Sequence, residues 1–125
     1  ECEQRFVTLA DSAPIIVWMT DRNGACTFIN RAGLQFTGRT LEQERGDGWI
    51  ADLHPDDLQR SLALLQEHSR SHRPFRIEHR LRRFDGTYRW FIEHAAPRFS
   101  PHGEFLGFVG TRVDITDSKM RAGAS

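Results

Sequence analysis

The chain has 125 residues, 38% hydrophobic, 27% charged and 10% aromatic, which excludes disordered and fibrous classes and fits one domain. The longest apolar run, Ile15 to Met19, is far short of the roughly 20 residues of a membrane-spanning helix, and the segment Glu1 to Arg5 lacks the layout of a signal peptide. The formal charge is zero, so strong attraction to nucleic-acid phosphate is not expected, although residues 1–57 hold ten acids against five bases and residues 70–98 eight arginines against three acids. A cytoplasmic domain, or the cytoplasmic part of a membrane-anchored protein, without direct membrane contact of its own is the expected setting. Cys2 and Cys26 are too few to staple the fold and form no C-x-x-C motif.

Residues 3–11 place Phe6, Leu9 and Ala10 at helical spacing, and Pro14 ends that helix. Residues 15–20, β-branched and aromatic, predict a strand. Asp21-Arg22-Asn23-Gly24 predicts a tight turn, and Cys26 to Asn30 the returning strand. Residues 31–53 read as short helical pieces broken by glycines. His54-Pro55-Asp56-Asp57 then opens a helix over about 56–71, with proline in the first turn and two aspartates facing the positive helix end. Leu58, Leu62 and Leu65 form its apolar stripe.

The clearest alternation follows. Phe75, Ile77, His79 and Leu81 point one way, and Arg76, Glu78, Arg80 and Arg82 the other. Phe84-Asp85-Gly86-Thr87 is a hairpin turn, residues 88–98 are the partner strand, and residues 104–115 are the last strand, expected at the centre of the sheet. In that strand Phe105, Val109 and Val113 are expected on one side and Leu106 and Phe108 on the other. The order of elements gives an α+β fold with an antiparallel sheet. A two-residue loop at Asp85-Gly86 sets Leu81 opposite Trp90, His79 opposite Ile92 and Ile77 opposite His94. That register predicts one apolar face made of Phe75, Ile77, His79, Leu81, Trp90, Ile92, His94 and Ala96, with Arg80 and Glu93 diagonal neighbours on the other.

No catalytic motif is present: no G-x-S-x-G, no phosphate-binding glycine loop, no H-E-x-x-H. The domain is therefore not expected to be an enzyme. His68 and His72 have a two-ligand metal spacing, but no nearby carboxylate or cysteine completes a site, so no metal is expected.

Taken in order, several pieces resemble the PAS domains of bacterial sensory proteins over roughly residues 3–119. They are Ala13-Pro14, Asp21-Arg22-Asn23-Gly24, Phe28-Ile29-Asn30, Phe36-Thr37-Gly38-Arg39-Thr40, Gly48-Trp49 and His54-Pro55-Asp56-Asp57. Further along they are Arg80 to Gly86, Tyr88-Arg89-Trp90, Gly103, Gly107 and Asp114-Ile115-Thr116-Asp117-Ser118-Lys119. The resemblance implies a five-stranded antiparallel sheet of order 2-1-5-4-3, with helices on one face and a pocket between the long helix and the sheet. It divides the chain into an N-terminal helix (1–13), a core (14–117) and the start of a linker (118–125). It also implies a module of a multidomain signalling protein, covalently linked to a histidine kinase or GGDEF diguanylate cyclase, with Asp114, Ile115 and Thr116 as the signal junction.

Candidate pocket residues are Phe36, Trp49, Leu62, Leu65, Phe75, His79, Leu81, Trp90 and His94. No flavin is expected, because residues 46–52 hold no cysteine where light-oxygen-voltage members carry one. Haem is disfavoured because His68 lies roughly 90° off the leucine stripe, at about 100° per residue. An unknown small ligand remains compatible; the alternative is a structural dimerisation and relay domain with a filled core. A homodimer through the N-terminal helix and the outer sheet face is the expected assembly.

Overall fold

The computed structural model describes residues 15–119. The expected helix at 3–10, and with it most of the anticipated dimer contact, lies outside the described residues. β1 (Ile16–Thr20) and β2 (Cys26–Ile29) form the first hairpin. Its turn is closed by Asp21, whose Oδ1 accepts from the Asn23 and Ala25 N–H groups. Asn30 then does two jobs. Its Oδ1 caps α1 (Arg31–Thr37) by accepting from Gly33 N–H at 3.2 Å, and it also accepts from Val17 N–H at 3.0 Å. A fully buried amide thus ties the helix start to β1. α2 (Leu41–Glu44) opens with a reciprocal Thr40–Gln43 capping box. A 3₁₀ turn (Gly48–Asp52) leads to α3 (Pro55–Ser71), which begins with proline as expected and has His54 as its cap.

β3 (Phe75–Arg82), β4 (Tyr88–Phe99) and β5 (Phe105–Asp114) complete one sheet of order β2-β1-β5-β4-β3, with every pair antiparallel. β5 is central, as its sequence predicted. The core lies between the helices and one face of the sheet, around Ile16, Trp18, Ile29, Leu53, Leu81, Phe91 and Phe108.

Three expectations need correction. The β3–β4 loop has three residues, Phe84-Asp85-Gly86, closed by Arg83 N–H to Thr87 O at 2.7 Å. Gly86 sits at φ 86°, in the left-handed region that a three-residue hairpin requires and glycine adopts without strain. The register therefore shifts by one: Leu81 faces Arg89, His79 faces Phe91 and Ile77 faces Glu93. β3 keeps its predicted faces, but β4 turns over. Phe91, Glu93 and Ala95 are buried, while His94 is exposed on the outer face with Trp90 and Ile92. Arg80 and Glu93 consequently lie on opposite faces and are not neighbours.

Second, α3 is rotated about its axis. Asp57 and Ser61 are its buried residues, and the predicted stripe of Leu58, Leu62 and Leu65 is half-buried beside them. Polar partners on β3 decide this, as shown below. Third, an irregularity at Arg98/Phe99 turns Phe105 onto the core side, edge-on to Phe108 with ring centroids 5.3 Å apart, away from Val109 and Val113.

Candidate functional site

A cavity of about 90 Å³ lies between the inner sheet face, the 3₁₀ turn and α3. Trp18, Trp49, Leu65, Phe75 and Phe108 supply its apolar wall, and Glu93 and Arg112 its charged wall. Gly110 makes room for Trp18: a Cβ there would come within 2.4 Å of the indole. The Trp18 Nε1–H is buried and has no acceptor among the described residues.

The charged wall belongs to a buried chain of partners. Arg112 Nε donates to Glu93 Oε1 at 3.0 Å. His79 Nε2 donates to Glu93 Oε2, and His79 Nδ1 lies 3.1 Å from Ser61 Oγ. Burial pushes the Glu93 carboxyl up, but the charges of Arg112 and His79 outweigh it and hold it down at about 2. Arg112 is in turn held strongly protonated, because the charge of Glu93 overcomes its burial. Such a pair is tolerated inside a fold because the two charges meet directly and the carboxylate's second oxygen is also hydrogen-bonded.

Two further clusters flank the site. Asp57, in the first turn of α3, accepts from the Arg80 guanidinium at 2.9 and 3.0 Å and from Arg80 N–H at 2.8 Å. Those hydrogen bonds hold its carboxyl down at about 2 and pin α3 to β3. Hence Asp57, rather than a leucine, faces the sheet. On the other side Arg39, Glu44 and Asp52 meet between α2 and the 3₁₀ turn, with both carboxylates buried.

Of the predicted pocket residues, Trp49, Leu65 and Phe75 line the cavity. His79 is buried behind it in the Glu93 cluster. Leu81 and Phe36 sit in the core, Phe36 edge-on to Phe91 at 4.9 Å. Leu62 is half-buried on α3 away from the cavity wall. Trp90 and His94 lie on the outer sheet face, for the register reason given above. His68 stacks on Phe75, ring centroids 4.6 Å apart, so the helical-angle argument that aimed it away from the sheet does not hold. His72 stacks on Phe105 at 3.7 Å. The two rings thus engage different phenylalanines. No group of three or more potential metal ligands occurs among the described residues.

The sequence reading missed Trp18, Phe108, Glu93 and Arg112. Gly110, a glycine inside a central strand, was the one available signal of a large side chain opposite.

The cavity wall connects to the end of the domain. β4 carries Glu93 and, three residues before it, Trp90. Trp90 N–H donates to Thr116 Oγ1 at 2.8 Å, and Trp90 O accepts from Ile115 N–H at 2.8 Å. Asp114 pairs with Arg89 and accepts from Thr116 N–H. A helical turn begins at Thr116, and Lys119 reaches back to Glu78 at 2.8 Å and lies over the Trp90 ring.

A five-stranded antiparallel sheet of order β2-β1-β5-β4-β3 with a cavity under its long helix defines the class of fold. A family model described as the PAS fold matches residues 4–115, and the chain belongs to that family. It is 41% identical over 119 residues to the uncharacterized protein y4lL of Sinorhizobium fredii, and 35% identical over 113 residues to the peroxide stress-activated histidine kinase mak1 of Schizosaccharomyces pombe. These matches cover 95% and 90% of this chain but 14% and 7% of the relatives, so the chain spans a small part of each. Among solved structures, the N-terminal domain of a diguanylate cyclase with PAS/PAC sensor from Marinobacter aquaeolei superposes with a TM-score of 0.74 at 19% identity, covering 84% of this chain and 98% of that one. The domain is thus a PAS sensor module, a class generally without catalysis of its own.

Proposed function

We propose that this domain senses a small molecule in the cavity and passes its occupancy to a covalently attached output domain through Asp114, Ile115 and Thr116. The observation that carries this reading is that Glu93 and Arg112 line the cavity while β4 begins and β5 ends at that junction. A ligand that displaces Glu93 acts on the strand whose Trp90 holds the start of the output helix, and one that displaces Arg112 acts on the strand that runs into Asp114. The unpartnered Trp18 indole N–H favours a small, mostly apolar ligand with one hydrogen-bond acceptor. The output is a histidine kinase or a diguanylate cyclase, and the protein works as a cytoplasmic homodimer. Leu106 and Val113, each 41% exposed, place apolar surface on the outer sheet face in support of that assembly. No helix among the described residues is long and apolar enough to cross a membrane.

A second reading, relay by dimerisation without a ligand, is favoured by the size of the cavity. At about 90 Å³ it is smaller than the roughly 150 Å³ of a cavity that takes up benzene. Titration with cyclopentanone, followed by amide and indole NMR, separates the two. Ligand sensing expects the Trp18 indole and the Ile115 amide to shift together. No shift at Trp18, or a Trp18 shift with Ile115 unmoved, supports relay alone. Sedimentation of the 125-residue chain and of a chain lacking residues 1–10 tests assembly; a monomer in both refutes the homodimer.

A further inference from the structure

We propose that Glu44 and Asp52 share one proton, and that this proton fixes the 3₁₀ turn carrying Trp49, so that the cavity wall responds to pH.

The side chain of Glu44 is fully buried, and that of Asp52 nearly so. Three of their four oxygens, Glu44 Oε1, Glu44 Oε2 and Asp52 Oδ2, have no hydrogen-bond donor among the described residues. Ionised carboxylates are acceptors only, so two of them side by side cannot satisfy each other. One proton changes this: a protonated Glu44 donates its O–H to Asp52, as a carboxyl to a carboxylate.

The surrounding charge does not supply an alternative. Arg39, from the loop before α2, donates to Asp52 Oδ1 at 3.2 Å, and its Nε stands 3.7 Å from Glu44 Oε1. Its other bonds go to the carbonyls of Gly48 and Gln43. Arg112, on β5, is committed to Glu93. Cys26, on β2, is kept a neutral thiol because burial pushes its pKa up, against the pull of Arg112 and Arg45. Two buried acids therefore face one shared guanidinium, and both cannot ionise cheaply. Burial, then the hydrogen bond and charge of Asp52, push Glu44 up to about 7.

The packing makes that proton consequential. A Cβ on Gly48 would come within 1.8 Å of Gln43 O, so the 3₁₀ turn already touches α2 with no slack. When the proton leaves for solvent, the two carboxylates repel across this contact. The 3₁₀ turn yields, and Trp49 moves with it. The consequence for ligand sensing rests on the function proposed above; the shared proton does not.

The experiment uses the 125-residue chain labelled with 5-fluorotryptophan, from about pH 5 to about pH 9, as wild type, Glu44→Gln and Asp52→Asn. Infrared difference spectra read the protonated carboxyl, and fluorine NMR reads Trp49, assigned with Trp49→Phe. The wild type is expected to lose a carboxyl C=O band with a midpoint near 7, the protonated fraction falling roughly tenfold per pH unit above it. Glu44→Gln, which holds the neutral form, is expected to lack the band and to keep Trp49 at its low-pH position throughout. Asp52→Asn is expected to move the midpoint down, because the like charge is gone. A wild type without the band below the midpoint, or an unchanged band in Glu44→Gln, overturns the shared proton. A titrating band with an unmoved Trp49 resonance overturns its control of the cavity wall.

Discussion

The cavity is flanked by two buried acid clusters of opposite kinds. Around Glu93, one carboxylate meets Arg112 and His79, and His79 meets Ser61, so every charge has a partner. Around Glu44, two carboxylates compete for Arg39. Both acids are glutamates at or near zero exposure, yet Glu93 is driven down to about 2 and Glu44 up to about 7. Burial raises both; the sign of the neighbouring charge decides the outcome. The first cluster keeps its carboxylate ionised at ordinary pH, and the second changes state near neutrality.

The largest effect is expected where the balanced cluster is broken. Glu93→Ala strands Arg112 inside the fold and should cost about 3–5 kcal/mol in urea titration. A loss below about 1 kcal/mol would show that the pair is not desolvated as described. Asp57→Asn removes a carboxylate held by three hydrogen bonds from Arg80 and should cost about 1.5–3 kcal/mol. The Asp57 carboxyl lies at about 2 when folded against 3.8 ordinarily. Its stabilisation is therefore complete above about 4 and fades as pH falls towards about 2, so wild type and Asp57→Asn should converge in acid melts.

Glu44→Gln tests the unbalanced cluster and should have the opposite sign. The folded state binds a proton between 4.5 and about 7 that the unfolded chain has lost, so wild-type stability falls as pH rises through that window. Glu44→Gln escapes the fall and should be more stable than wild type above about pH 7, by about 1–2 kcal/mol. Equal pH dependence of the two melting curves would remove the distinction between the clusters. Ser61→Ala deletes the outermost partner of the balanced cluster and should cost about 1 kcal/mol. Arg82→Ala, on the exposed strand face, should change stability by less than about 0.5 kcal/mol.

The sequence alone determined the order of the elements, the alternation of β3, the proline start of α3 and the central place of β5. These follow from periodicity and turn chemistry, which act over a few residues. The sheet order came with the family resemblance and the structure repeats it. Tertiary structure decided the rest. One extra residue in the Phe84-Asp85-Gly86 loop inverted β4, exchanged Trp90 and His94 for Phe91 and Glu93 at the core, and placed the candidate site on a strand face that looked polar. The rotation of α3 was equally hidden, since a helix with three leucines on one stripe is expected to bury them. Asp57 and Ser61 took that place because Arg80 and His79 wait 23 and 18 residues further on. A charged side chain can be buried only when its partner is within hydrogen-bond reach. Those partners are separated along this chain by 14 to 23 residues, so no local pattern announces them; the folded sheet brings them together.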